Sequence, residues 1–343
     1  MTRTAVVICP GRGTYNKDEL GYLGRHHSDK ATLFQAFDAI RSENQQESII
    51  ALDGADRFSL QKHTRGDIAS PLIYAASVAD TSTLSDDIEI VAVTGNSMGW
   101  YIALAAGGAA EKTDGFRIVN TMGDLMQQQL IGGQIIYPFV DDAWAPIAGK
   151  KKALLECVDE INNHSDHSLA LSIDLGGMLV IAGNEAGLKA FEKSVPQLQN
   201  RFPMRLPNHA AFHTELQTPV AKLGQGLLPV TLFSQPKYPL IDGRGHVWWP
   251  NATDVESLRN YTLDHQVRKT YGFSQAIQTA AREFAPDLFI VTGPGTTLGG
   301  AVAQSLLLID WQNMKTKQDF QTRQQQDPFL ISMGIPEQRS LVT

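Results

Sequence analysis

A serine framed by glycines, Gly95-Asn96-Ser97-Met98-Gly99, is the strongest chemical signal in the chain. It follows an apolar, strand-like run from Ile88 to Val93 and opens a small-residue helical stretch from Trp100 to Ala110. A strand, a Gly-x-Ser-x-Gly turn and then a helix is the context a nucleophile elbow requires. The glycines let the chain turn sharply with little side-chain clash, so the serine hydroxyl stands proud of the sheet. The serine also sits at a helix N-terminus, where free N–H groups and the helix dipole favour a developing negative charge. Residues of these types in this order point to acyl transfer or acyl hydrolysis.

Such a serine needs a base. The chain has 9 histidines, of which His213, within Ala211-Phe212-His213-Thr214, and the nearby His209 follow the apolar segment before Pro207. On its residues alone, His213 reads as a partly buried histidine beside Phe212 that makes a structural hydrogen bond. Other chemistries have less support. No CxxC pair or HExxH marks a zinc site. Gly11-x-Gly13 lacks the third glycine of a dinucleotide fingerprint, since Asn16 takes its place. No metal and no permanently bound cofactor is expected. The two cysteines, Cys9 and Cys157, fall in an apolar strand and a helical pattern and read as buried thiols, with a cytoplasmic setting as the default. A formal net charge of −7 gives no reason to expect nucleic acid as a partner. No apolar run reaches the length of a membrane span, and Met1–Cys9 is not a secretory signal.

The elements that must carry these residues read as an α/β fold. Ala5–Ile8 is a buried strand running into the turn Pro10-Gly11-Arg12-Gly13. Helical patterns follow at 32–40, 71–79 and 114–130, the last with Phe116, Val119, Met122, Leu125 and Met126 at helical spacing. From 134 to 206 the rhythm changes to strand, helix, two strands, helix and strand, the ferredoxin-like order. The expectation is a large hydrolase-like α/β domain, residues 1–130 and 207–310, with a ferredoxin-like subdomain inserted at 131–206. The Gln-rich residues 311–343 are expected to form a polar tail that is peripheral or partly disordered.

Five segments taken in order resemble one family. They are Pro10-Gly11-Arg12-Gly13, the elbow with Trp100-Tyr101 after it, Met178-Leu179-Val180-Ile181-Ala182-Gly183, Ala211-Phe212-His213-Thr214, and Val291-Thr292-Gly293-Pro294-Gly295. Their sequence and spacing are similar to those of the malonyl-CoA:acyl carrier protein transacylases, up to about Leu308. The resemblance implies ping-pong transfer from an acyl-CoA donor to the phosphopantetheine thiol of an acyl carrier protein. Ser97 would be the nucleophile and His213 the general base. The backbone N–H groups of Arg12 and Met98 would form the oxyanion hole. A main-chain carbonyl in the segment Thr262–Arg268 would orient the histidine, with Thr262 standing where the family has glutamine.

Three departures bear on the acyl pocket. Asn96 replaces a histidine, Trp100 replaces a glutamate, and Met122 stands where the family's Arg-Gly-x-x-Met-Gln pattern has its arginine. A thioether cannot neutralise a buried carboxylate, so the pocket formed by Asn96, Met122 and Phe212 should favour a short, uncharged acyl group unless another cation such as Arg12 serves. Trp100 is expected to pack under its helix. The run Lys150-Lys151-Lys152 is either a solvated face or a guide for an acidic carrier protein. Two other functions stay open: a hydrolase acting on acyl carrier protein, and a non-catalytic homologue acting as a binding subunit.

Overall fold

The strand with the longest apolar run takes the middle of the larger sheet. Ala5 to Cys9 are all fully buried, as a strand covered on both faces must be. In the computed structural model, which describes residues 2–343, this strand is β1 (Arg3–Cys9). It pairs in parallel with β2 (Ile88–Gly95) and with β10 (Leu288–Val291). With β7 (Leu240–Ile241), β8 (Val247–Trp248) and β11 (Leu330–Ser332), the order is β11-β10-β1-β2-β7-β8. Only the hairpin strand β8 runs antiparallel to its neighbour. Cys9 lies opposite Gly95 in register. The loops after β1 and β2 therefore leave the carboxyl edge of the sheet side by side, the usual location of a site in an α/β sheet.

The second sheet is built as the alternation from 134 to 206 predicts. β3 (Gly133–Pro138), β4 (Leu169–Leu175), β5 (Met178–Gly183) and β6 (Met204–Arg205) are linked by helices Lys150–Ile161 and Glu185–Ser194. Their order is β6-β3-β5-β4, all antiparallel. A separate apolar core, including Tyr137, Leu179, Leu188 and Phe191, holds this layer together. The subdomain is less self-contained than the range 131–206 implies. A fifth strand, β9 (Tyr271–Gly272), comes from the other domain and pairs in parallel with β4. A two-residue strand has no periodicity to read. Its Tyr271 hydroxyl donates to the carbonyl of Gly95 at 2.6 Å, so one residue ties the small sheet to the elbow.

The expectation of a peripheral tail is corrected. Residues 317–326 form a helix, β11 extends the large sheet in parallel beyond β10, and helix Pro336–Arg339 follows. Phe329, Ile331, Met333 and Val342 are buried. The apolar run that does this is short and follows a Gln-rich helix, so composition masked it. The tail is also fixed by a buried charge. Arg339 Nη1 lies 2.7 Å from Asp80 Oδ1. The same carboxylate pairs with His27 Nε2 at 2.7 Å and accepts from Tyr22 Oη at 2.9 Å and from the Gly293 N–H at 2.6 Å. Among the described residues, no helix is long and apolar enough to cross a membrane.

Asp80 is fully buried, so removing its cation leaves an uncompensated charge. Arg339→Ala is expected to lower the unfolding free energy by about 3–5 kcal/mol in equilibrium urea denaturation. A loss below about 1 kcal/mol would show that the tail does not anchor the fold.

Candidate active site

Ser97 is held in a left-handed backbone conformation, φ +56°, which costs energy for a residue with a side chain. The turn persists because its flanks are locked. The Asn96 N–H donates to the Cys9 carbonyl at 2.9 Å, and the Trp100 N–H to the Ser97 carbonyl at 3.0 Å. A side chain at Gly95 would collide with the Gly99 carbonyl, and one at Gly99 with the Cys9 carbonyl. Both glycines are thus needed for the strand and helix to approach this closely. Met98 caps the helix Gly99–Ala106. Among the described residues, neither its backbone N–H nor that of Arg12 donates to another backbone carbonyl outside the helices and strands. This is the state an oxyanion hole requires.

The structure brings Ser97 and His213 together. Ser97 Oγ lies 2.7 Å from His213 Nε2. On the far side of the ring, Nδ1 is 2.5 Å from the carbonyl oxygen of Gln266, and the His213 backbone N–H donates to the Val267 carbonyl at 3.0 Å. A carbonyl can only accept, so Nδ1 carries the proton and Nε2 presents a lone pair to the serine hydroxyl. The carbonyls are available for a local reason. Gln266 and Val267 lie in the last turn, Gln266–Arg268, of a continuous helical run from Val255 that stops at Lys269. The last carbonyls of a helix lack intrahelical donors, and His213 satisfies two of them. Burial pulls the imidazole down to about 4, partly offset by the Gln266 bond.

Thr262 does not orient the base. It lies in a π-helical turn, Tyr261–His265, one turn before the orienting carbonyl. Its hydroxyl donates to the Leu258 carbonyl and accepts from Trp100 Nε1 at 2.9 Å. Trp100 is fully buried, as expected, and two departures from the family pattern thus bond to each other. Gln266 is the residue that sequence reasoning missed. Its side-chain Nε2 donates to the Ser97 carbonyl at 2.9 Å, and its Oε1 accepts from Tyr101 Oη at 3.0 Å. The only signal for it was its place in the segment Thr262–Arg268.

Two cavities border the serine. The larger, about 510 Å³, is walled by Ile136, Ile173 and Val180 of the small sheet and by Asn96, Ser97 and Leu298 opposite. The smaller, about 20 Å³, is bordered by Ser97, Met98, Gly123, Met126 and Val267. Phe212 and Arg12 border both. Asn96 borders the larger cavity alone, with a buried Oδ1 that has no hydrogen-bond partner. Met122 is fully buried and borders neither cavity. A Cβ at Gly224 would lie 2.7 Å from its sulfur, so helix Thr218–Leu227 covers it, and Met126 one turn on reaches the cavity instead. Arg12 Nη2 donates to the carbonyls of Thr64 at 2.6 Å and Asn208 at 2.8 Å. Its guanidinium sits over the Phe212 ring, 5.3 Å from the centroid. Burial lowers it to about 10, partly offset by Asp67, so it stays charged near neutral pH. Of the lysine run, Lys151 pairs with Asp174 at 2.6 Å and Lys152 with Glu156 at 3.4 Å. Among the described residues, no three His, Cys, Asp or Glu side chains converge as metal ligands.

No protein-family model matches the chain. It is 23% identical over 236 residues to the malonyl CoA-acyl carrier protein transacylase of Bacillus subtilis, covering 68% of this chain and 71% of that protein. It is 25% identical over 310 residues to the phenolphthiocerol synthesis polyketide synthase type I Pks15/1 of Mycobacterium marinum. That match spans 89% of this chain but only 14% of the synthase. The fold matches that of the malonyl-CoA:acyl carrier protein transacylase of Xanthomonas oryzae at a TM-score of 0.75 and 18% identity, over 99% of this chain and 98% of the other. It also matches a malonyl-transacylase solved in complex with its type II polyketide-synthase acyl-carrier protein, at a TM-score of 0.71 and 18% identity over 89% and 93% of the two chains. The chain is thus a distant sequence relative of malonyl CoA-acyl carrier protein transacylases and shares their fold over its full length.

Proposed function

We propose that the protein transfers an acyl group from a coenzyme A thioester to the phosphopantetheine thiol of an acyl carrier protein. The observation that carries this reading is the Ser97 Oγ to His213 Nε2 contact of 2.7 Å with Nδ1 held by a carbonyl. Ser97 Oγ attacks the thioester carbonyl as its proton passes to His213 Nε2. The oxyanion is met by the N–H groups of Met98 and Arg12. The imidazolium returns its proton to the leaving thiolate, and an acyl-Ser97 ester remains. The carrier's thiol then attacks that ester as His213 Nε2 takes its proton, and the imidazolium returns that proton to the departing Ser97 Oγ, leaving the acyl-carrier thioester and free serine. The Gln266 carbonyl favours the transient imidazolium in both half-reactions, the part a carboxylate plays in a triad. The large cavity suits an extended arm, and the complex of a malonyl-transacylase with its carrier protein shows that the fold can receive such a partner.

The acyl group in this reading is short and uncharged. Met122 no longer supports that preference, since it is buried away from the cavities. The small cavity supports the short length alone: its volume of about 20 Å³ leaves room for only a small group among Met126, Val267, Ser70 and Arg12. Arg12 is the cation beside it, but both Nη2 hydrogens are committed to backbone carbonyls. Either two-pronged face of a guanidinium that could grip a carboxylate uses Nη2. A buried carboxylate with an incomplete partner costs several kcal/mol.

Two outcomes test this. With acetyl-CoA or malonyl-CoA and an acyl carrier protein, intact-mass spectrometry should show acyl-Ser97, then acyl-carrier product, with acetyl transfer favoured at least about tenfold. Ser97→Ala should form no adduct, and His213→Ala should slow acylation by about 10²–10⁴. Release of free acid without acyl-carrier product would make the protein a hydrolase, and faster malonyl transfer would overturn the uncharged preference. The second outcome is the pH profile of acylation. His213 is a base only when neutral, so the rate is lost as pH falls through its value of about 4. The acid limb of kcat/KM should lie near that pH. A limb near the ordinary histidine value of about 6.5 would show that the base is not desolvated.

A further inference from the structure

A second histidine faces the larger cavity, and a chain of hydrogen bonds fixes its protonation. His209 borders the cavity of about 510 Å³ that also contains Ser97. Its Nδ1 lies 2.7 Å from Gln134 Oε1. Gln134 Nε2 donates to Ser172 Oγ at 2.7 Å, and Ser172 Oγ donates to the Phe212 carbonyl at 2.8 Å. Gln134 and Ser172 are both buried.

The chain has only one consistent direction. The Phe212 carbonyl can only accept, so the single Ser172 hydroxyl proton points to it. Ser172 must then accept from Gln134, which puts the amide nitrogen of Gln134 on that side and its oxygen toward the imidazole. The oxygen can only accept, so His209 Nδ1 carries the proton. The nitrogen left for a ligand is Nε2, with a bare lone pair. Burial, with the charge of Arg12 adding to it, holds His209 well below the usual histidine range. The ring is therefore neutral across working pH, and Nε2 remains an acceptor. Such a group pairs with an N–H and repels a carbonyl or carboxylate oxygen.

We infer that His209 is a binding residue for the arm of the thioester substrate, its Nε2 accepting a hydrogen bond from an amide N–H of that arm. The inference rests on the acyltransfer reading above and adds a selection rule to it. The cavity discriminates for thioesters whose arm carries amide donors, independently of the acyl group. His209 takes no part in proton transfer at Ser97, since His213 fills that place at 2.7 Å.

The test compares two acetyl donors, acetyl-pantetheine, which carries amide N–H groups, and S-pentyl thioacetate, which carries none. The readout is the ratio of their kcat/KM values for forming acetyl-Ser97. His209→Phe, which keeps a ring beside Phe212, is expected to lower that ratio about tenfold through the KM of acetyl-pantetheine. Gln134→Glu provides a readout that a purely structural role would not move. A carboxylate beside Nδ1 opposes the influence of Arg12 and favours the imidazolium, whose Nε2–H donates and repels the arm's N–H. In that variant the KM for acetyl-pantetheine should rise as pH falls from about 8 to about 6, while the wild-type value stays flat. If both variants still acetylate Ser97 and keep the wild-type ratio and a flat KM, the role of His209 is overturned and the acyltransfer reading stands. If the wild type is acetylated by neither donor, the acyltransfer reading falls and the arm site with it.

Discussion

Two backbone carbonyls in the last turn of a helix hold His213 beside Ser97. The carbonyls of Gln266 and Val267 have no donors within their own helix, and His213 satisfies both, one with its ring and one with its main chain. The ring bond selects the tautomer that offers a lone pair to Ser97, and burial keeps it neutral. In the proposed mechanism no carboxylate is required, because a fixed dipole at a buried ring orients it and would stabilise the charge that it acquires for an instant.

The surrounding structure converges on that contact. Ser97 and His213 both occupy left-handed backbone positions, φ +56° and +57°, and strain of this kind lasts only where neighbours over-determine it. Here the Gln266 side chain clamps the Ser97 carbonyl while its main chain holds the His213 ring, so one residue sets the distance between the two. Tyr271 joins the small sheet through β9, bonds to the elbow strand at Gly95, and packs beside the His213 ring at 5.3 Å between centroids. A shift between the two sheets would therefore be felt at the serine. The buried charges of Asp80 and Arg339 anchor the C-terminal segment, whose β11 pairs beside β10, at the carboxyl end of that strand, where the Gly293 N–H meets Asp80.

Legibility in the sequence followed the length scale of each signal. The elbow was readable because its strand, turn and helix are contiguous and its glycines have a steric reason. The inserted β-α-β-β-α-β unit was readable because its two helices and its first three strands each run six residues or more, its last strand alone being short. The misses share another cause. Met122 occupies the position at which the family pattern has its arginine, but which neighbour a helical residue meets depends on a distant helix, here the one carrying Gly224. Thr262 aligned with the family glutamine, yet a π-helical turn shifts which carbonyl faces the histidine. β9 and β11 have two and three residues and acquire their pairing only from partners far away in the chain. The tautomer of His209 lies further still from what sequence can show, since it depends on three residues from three segments.

In the proposed mechanism the base is a neutral imidazole with its proton on Nδ1, held by a carbonyl and poised at Nε2 toward Ser97. Nitrogen NMR of the ¹⁵N-histidine-labelled protein, with His213 assigned by a His213→Gln variant, measures this directly. The account predicts a protonated Nδ1 and an unprotonated Nε2 for His213 near neutral pH, persisting until the pH approaches about 4. A proton on Nε2, or an imidazolium already formed near the ordinary histidine value of about 6.5, would contradict it.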